Sequence, residues 1–551
     1  MSNPGEWSFV AVHDVLAGTA PDRDMVVCGT VRRTFGEVAQ RTKSIAAFLV
    51  ERGVGLHVER ADLERWESGQ DPVALVLHNG TEYFEAMFGA YRARAVPFNV
   101  NQHYRPTEVA ALLAEVGVRA IVYHRRYGPL VEMAIADRNV VLIDVDDGSG
   151  AEALPGSTNF EEVARTPVTV PLPVPSPDDL YMICTGGTTG RPKAVLWRQA
   201  DIYISAMAGV EGATAGTIAE SATSGTGSGQ PWYPVPPLMH GAAQWTAFSG
   251  LNQGATVVVH EDTGPFSAQT VLELAEREQV ALMSIVGDAY AAPMVEELRR
   301  RPYDLSSLFI LGTGGAATGE QHKEALLEIL PNLVILDGYG ASETGGMAFG
   351  ARTKAKKNEG FEPSAGATVI SEDRSHFLQP GDPEVGWIAR RGRVPLGYLH
   401  DREKTENTFP IIDGERVTVP GDRGQLSADG RILLLGRDSL VVNTGGEKVF
   451  VEEVEDVLRQ HPGLADALVV GRPSERFGQE VVAVVAPNPG ATVDPRGIRE
   501  FVAGEIARFK APRAVAVVAS VHRHANGKPD YAWAKEVALT AADATAGSGG
   551  R

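Results

Sequence analysis

Up to about residue 180 the chain alternates helix-period stretches such as "TFGEVAQRTKSIAAFLVERG" with short apolar runs such as "PVALVLHN" and "RAIVYH". That alternation is the signature of βα units laid on a parallel sheet, and it predicts an α/β chain with a layered body. With 551 residues, 43% of them hydrophobic, there is material for large cores and for more than one domain.

The texture changes near residue 436. "GQLSADGRILLLGRDSL" reads as a β-hairpin turning at Asp429 and Gly430, and the stretch from "VFVEEVEDVLRQ" onward as helix, strand, turn, strand. A large multi-layer N-terminal domain over 1–436 and a small α+β C-terminal domain over 437–540 are expected, with 541–551 as a disordered tail. "LERWESGQDP" at 63–72 reads as a polar surface insertion. "GVEGATAGTIAESATSGTGSGQP" at 209–231 reads as a flexible loop, either a plain exposed connection or a flap beside a site.

The formal net charge is −19 and no long basic run occurs, which argues against a nucleic-acid surface or an anionic-membrane anchor. Cys28 and Cys184 are too few for a disulfide framework or a cysteine metal site and fit a reducing cytoplasm. The N-terminus has no signal-peptide pattern, and no run of about 18 apolar residues suggests a transmembrane segment. Nothing in the sequence selects an oligomeric state, and a homodimer is compatible with it.

One local motif stands out. In "CTGGTTGRPK" at 184–193, "DDLYMIC" before it and "AVLW" after it are candidate strands, so Thr185 to Lys193 joins two strands instead of opening a helix. Ala194 stands where a Walker A loop has its magnesium-binding Ser or Thr. Gly186 and Gly187 let backbone N–H groups face an anion, Thr188 and Thr189 add hydroxyl donors, and Lys193 adds charge. Polyphosphate binding and a plain surface turn both suit the loop taken alone.

"MICTGGTTGRPK" resembles the AMP-binding signature of the adenylate-forming superfamily, which includes acyl-CoA synthetases, luciferases and peptide-synthetase adenylation domains. "GTGGAA" at 312–317, "DGYGASETGG" at 337–346 and the run from Gly421 to Glu455 follow in the family's order and spacing. Within the superfamily, "LYMICTGGTTGRPKAVLWRQADIY", "GRDSLVVNTGGEKVFVEEVE" and "NGKPDYAWAKE" look most like actinobacterial fatty-acyl and steroid side-chain CoA ligases. The resemblance implies that Gly314, Gly315 and Ala316 line the adenine pocket, that Asp337 lies near the adenine amino group, and that Gly338, Tyr339 and Gly340 belong to the same ATP-binding run. Tyr339 offers a flat face to a purine, Ser342 a hydroxyl to a phosphate, and Glu343 a hard oxygen ligand to Mg²⁺. Asp422 is implied as acceptor of both ribose hydroxyls, with Arg437 supporting ribose or phosphate.

Lys528 follows Asn526-Gly527, a turn dipeptide that suits an exposed loop tip. The resemblance implies that it enters the active site for adenylation, although "HRHAN" replaces the usual proline-containing run and Pro529-Asp530 follow it. The implied reaction joins a carboxylate to the α-phosphorus of ATP, releases pyrophosphate, and then passes the acyl group to coenzyme A after rotation of a mobile C-terminal domain. Gly445 and Gly446 are then the passage for the pantetheine arm, and Ser439 falls at the hinge position. His240 and Gly241, within "YPVPPLMHGAAQW", mark the mouth of the acyl pocket, to which "MSIVGDAYAAPMV" at 283–295 also contributes. Small residues there favour a bulky or long acid, a fatty chain or a steroid side chain. Two other readings stay open at this stage: loading of a carrier protein, and a nucleotide-binding homologue without catalysis.

Overall fold

The structure is a computed structural model that describes residues 5–135, 139–185, 193–224, 228–356, 360–437, 440–444, 447–474, 477–524 and 527–543. The apolar runs of the first part form the expected parallel sheet, in the order Val96–Asn99, Pro72–Val76, Ala120–His124, Val141–Val145, Thr158–Asn159. Every residue of Pro72–Val76 is buried, as a strand covered on both faces requires. The helix Phe35–Glu51 starts at a capping box, in which Thr34 accepts from the Glu37 N–H and the Glu37 side chain accepts from the Thr34 N–H.

A second, nine-stranded sheet runs Glu362–Pro363, Gly345–Arg352, Val334–Ala341, Ile310–Gly314, Leu282–Ile285, Pro231–Pro234, Thr256–Val259, Asp24–Cys28, Val31–Thr34. Its centre is parallel and its ends are antiparallel. A third layer holds the hairpin Asp422–Leu426 with Ile432–Arg437, whose turn passes through Gly430 at φ 84° as the Asp-Gly pair predicts. The C-terminal sheet is separate. It runs Glu447–Val449, Val442–Thr444, Gly478–Pro487, Ala514–Val517, Ala542–Asp543, with Leu464–Ser474 also on Gly478–Pro487.

The hairpin strand Ile432–Arg437 crosses the 436/437 boundary, and the separate sheet begins only at Val442. The 541–551 tail begins with Ala542–Asp543 paired to Ala514–Val517, a backbone ladder that needs no apolar side chains. The loop at 209–231 contains a helix, Ala215–Ser224, packed on the helix Phe9–Thr19. Ile218 and Ala222, one turn apart, are 3% and 1% exposed, and Arg23 donates to the carbonyls of Ala222 and Gly254. In the insertion at 63–72 Glu64 and Arg65 are exposed, but Gln70, Asp71 and Pro72 are buried. Gln70 takes the Leu180 N–H and donates to the Arg94 carbonyl, which pins the segment to the strand that leads into the phosphate motif.

The helix at 215–224 makes a direct prediction. Ile218→Ala should lower unfolding free energy by about 2–4 kcal/mol, the usual cost of truncating a buried isoleucine, read as a shift in denaturant midpoint. A change within about 0.5 kcal/mol would restore the flexible-loop reading. Among the described residues no helix is long and apolar enough to cross a membrane.

Candidate active site

The strands flanking the phosphate motif are Leu180–Thr185 and Lys193–Arg198, antiparallel, with Thr185 opposite Lys193. Period-two alternation sends Tyr181, Ile183, Val195 and Trp197 into one core and Leu180, Met182, Cys184, Ala194 and Leu196 into another. The hairpin is thus a wall gripped on both faces, and it fixes the two ends of the glycine-threonine segment. Asn99 adds a polar clamp: its amide nitrogen donates to the carbonyls of Cys184 (2.8 Å) and Met239 (2.7 Å), and its oxygen accepts from the Cys184 N–H (2.8 Å). Gly186, Gly187, Thr188 and Thr189 lie outside the described residues.

Glu343 sits in the turn between Val334–Ala341 and Gly345–Arg352. The fully buried Thr344 closes that turn through Ala341, and the Trp197 indole N–H donates to the Ser342 carbonyl at 2.9 Å. The turn is therefore docked on the strand that begins at Lys193. The Tyr398 hydroxyl donates to Glu343 Oε1 at 2.7 Å, and Lys193 Nζ donates to Asp401 Oδ2 at 3.0 Å. Glu343 fits a magnesium ligand: among the described residues nothing else is seen to bond its carboxylate, and no group of three or more His, Cys, Asp or Glu side chains competes as a metal site. A cation there would draw its remaining ligands from phosphate oxygens and water, as Mg²⁺ commonly does.

The nucleotide-side motifs meet on adjacent strands. Thr313 and Gly314 pair with Asp337 and Gly338 in parallel register. A Cβ on Gly314 would fall 2.8 Å from the Gly338 carbonyl oxygen, so glycine is what this approach demands. Ala316, beyond that strand, packs against Gly287. Asp337 accepts from Thr313 Oγ1 (3.2 Å) and pairs with Lys323 Nζ (2.7 Å), a pairing across elements that the motif alone does not disclose. The Tyr339 hydroxyl donates to Asp422 Oδ2 at 2.5 Å, joining two stretches far apart in sequence. Arg437 stands opposite Asp422 in the hairpin ladder.

The C-terminal loop comes over this edge. Gly527, at φ 77°, is buried with its Cα face toward Ala289 and Val286; an added Cβ would lie 3.1 Å from Ala289 Cβ. The loop is held from behind, since Arg523 pairs with Asp466 at 2.7 Å and donates to the Gly527 carbonyl at 3.4 Å. His240, the cap residue of the helix Gly241–Asn252, is pushed down to about 4, first by burial, then by the charge of Lys528 and then by His103. Lys528 and His240 therefore share one electrostatic neighbourhood. Among the described residues His240 Nε2 is buried with no hydrogen-bond partner. A Cβ on Gly241 would meet the Trp245 ring at 3.5 Å and Ile183 at 3.8 Å, which places this glycine against the phosphate-motif strand. Ser439, Gly445 and Gly446 lie outside the described residues.

Sequence reasoning misses several parts of this arrangement. Asn99 lies in an unremarkable "PFNVN", and only its buried amide identifies it. Gly287 reads in the sequence simply as part of a pocket segment; its φ of 58° and the 2.8 Å that would separate an added Cβ from the Ala317 carbonyl oxygen explain why no side chain fits. Tyr398, Asp401 and Lys404 lie in "GYLHDREKT", where an Asp followed by charged residues reads as a helix start and nothing more.

Residues 14–399 match the AMP-binding enzyme family and residues 453–528 its C-terminal domain. The chain is 43% identical over 539 residues to the medium-chain acyl-CoA ligase Mig of Mycobacterium avium, covering 96% of this chain and 98% of that one. It is 37% identical over 530 residues to the medium/long-chain-fatty-acid--CoA/3-oxocholest-4-en-26-oate--CoA ligase of Mycobacterium tuberculosis, covering 94% and 93%. Its fold is similar to that of the anthranilate CoA ligase AuaEII in complex with anthranoyl-AMP, with a TM-score of 0.78, 20% identity, and coverage of 97% and 98%.

Proposed function

The chain belongs to the AMP-binding enzyme family, and from that premise we propose that it is an ATP-dependent acid:CoA ligase acting on medium- to long-chain fatty acids. It forms an acyl-AMP with release of pyrophosphate, then an acyl-CoA with release of AMP. The observation that carries the reading is the seating of Gly527 against Val286 and Ala289, which brings the charge of Lys528 to His240 beside the nucleotide motifs.

A carboxylate is a poor electrophile, and activation consists of its oxygen attacking the α-phosphorus while charge accumulates on the phosphoryl oxygens. Stabilising that charge is the main catalytic demand. Lys528 is the cation that bridges the acid and the α-phosphate. Lys193 and the glycine-threonine segment hold the outer phosphates, and Asp422 takes the ribose hydroxyls. Glu343 would hold Mg²⁺, which would supply neutralising charge to the phosphates. No protein nucleophile is needed. Withdrawal of Lys528 on rotation of the C-terminal domain frees the acyl carbonyl for the coenzyme A thiol, whose arm we assign to the Gly445-Gly446 pair. Both cysteines are free and buried, which suits a reducing cytoplasm.

A steroid side-chain acid is the second reading, favoured by the 3-oxocholest-4-en-26-oate--CoA ligase activity named for the M. tuberculosis relative. The test is ATP–pyrophosphate exchange with a panel from hexanoate to stearate plus a sterol-derived carboxylate, followed by coenzyme A consumption. Exchange peaking on a fatty acid supports the first reading and exchange confined to the sterol acid the second. ATP binding without exchange on any acid would sink both.

A further inference from the structure

We propose that Lys404 is a second phosphate-binding cation which, beside Lys193, holds the β- and γ-phosphates of ATP and hence the pyrophosphate leaving group. The inference rests on the ATP-dependent reading above and assigns to that site a residue outside its glycine-threonine loop. Lys404 lies on the short helix Arg402–Thr408, outside every motif that the sequence singles out.

Two ammonium groups share one aromatic ring. Lys404 Nζ lies 4.1 Å from the Tyr398 ring centroid and Lys193 Nζ 5.8 Å from it, while the hydroxyl of the same ring holds Glu343. Tyr398 is fixed by pairing with Val195, two residues beyond Lys193, and by its N–H donating to Thr405 Oγ1. The carboxylate nearest the pair is Asp401. One of its oxygens takes Lys193 Nζ at 3.0 Å and the other takes the backbone N–H of Lys404 at 2.9 Å. Asp401 thus neutralises Lys193 and orients the Lys404 backbone, and among the described residues the Lys404 ammonium has no carboxylate within ion-pair distance. Two cations brought together repel each other, and the carboxylates of Glu343 and Asp401 offset that repulsion only in part. The Lys404 ammonium reflects that cost: it is pushed down to about 8, by burial first and by Lys193 next, with Glu343 and Asp401 pulling the other way. The ring supplies a cation–π surface to both ammonium groups. An anion with several oxygens at this place would bridge the two ammonium groups, and the tail of ATP is the polyanion the reaction brings there.

The test uses the full chain with Lys404→Ala, Lys404→Gln and Lys404→Arg. The Michaelis constants for ATP and for pyrophosphate in exchange should rise about 10- to 100-fold in the Ala and Gln variants, the loss of one charged hydrogen-bonding partner, and return most of the way in Arg. Thioester formation from supplied acyl-AMP, which involves no pyrophosphate, should stay within about twofold of wild type. Unchanged Michaelis constants in a folded Ala variant would overturn the assignment, and so would equal loss in both half-reactions, which marks a structural role. Calorimetric titration of wild type and Lys404→Ala with magnesium pyrophosphate makes the same distinction without catalysis: weaker binding by the variant supports the assignment, and equal binding overturns it. Wild type that binds pyrophosphate but exchanges with no acid would overturn the ligase reading alone.

Discussion

Lys528→Ala is expected to slow acyl-adenylate formation by about 10²- to 10³-fold, the effect of deleting one preorganised charge-stabilising donor, and to leave thioester formation from supplied acyl-AMP nearly intact. The split follows from the adenylation role proposed for the side chain. The loop that carries Lys528 is fixed by groups the substitution does not touch: Arg523 on Asp466, the Gly527 N–H on the His524 carbonyl, and Gly527 itself against Ala289. Alanine therefore removes an ammonium group and keeps the loop. A second readout needs no substrate. Lys528 is one of the charges holding the His240 imidazole neutral, so its removal should raise the His240 pKa from about 4, only in part because burial is the larger cause. Nuclear magnetic resonance titration of His240 follows this directly. Equal loss of both half-reactions, or a His240 that titrates as in wild type, would contradict the assignment of Lys528 to the adenylation geometry.

The parts of the site that can be read in the sequence are those whose chemistry is local. The hairpin around the phosphate motif shows itself because its strands are short continuous apolar runs, as strands buried on both faces are, and the turn at Asp429 and Gly430 because the dipeptide has few other uses. The helix Ala215–Ser224 escapes notice because Ala, Ser, Thr and Gly leave only Ile218 and Ala222 as an inward face, too sparse a period to separate from a loop. What cannot be read locally is partnership across elements. Asp337 carries no sign that Lys323 will take one of its oxygens, and Tyr339 none that its hydroxyl belongs to Asp422. The approach of Gly527 to Val286 joins the C-terminal domain to a strand end in the large sheet, and nothing in "HANGK" announces that neighbour. Within the unusual run before Lys528, Arg523 is itself an anchor, on Asp466 and on the Gly527 carbonyl, and backbone hydrogen bonds tie His524 to Gly527 and Lys528.

Asp422→Ala should reduce kcat/KM for ATP by roughly 10²- to 10⁴-fold. A carboxylate that accepts both ribose hydroxyls makes two charge-assisted hydrogen bonds worth about 1.5–3 kcal/mol each, and about 1.4 kcal/mol corresponds to a factor of ten. Asp422 is 4% exposed and held in a strand, and the Tyr339 hydroxyl donates to Oδ2 at 2.5 Å, so its carboxylate is already oriented for the role proposed for it. That preorganisation is what makes the larger figure attainable. Tyr339→Phe separates orientation from contact. It keeps the ring face for the purine and deletes only the hydroxyl, and should cost about tenfold or less. Pairing each protein with 2′-deoxy-ATP closes the cycle. Wild type should lose affinity when the 2′-hydroxyl is removed, whereas Asp422→Ala should be almost indifferent to it, because the acceptor is already gone. If both proteins are penalised equally, the ribose is held by some other group, and the carboxylate of Asp422 serves only to position Tyr339.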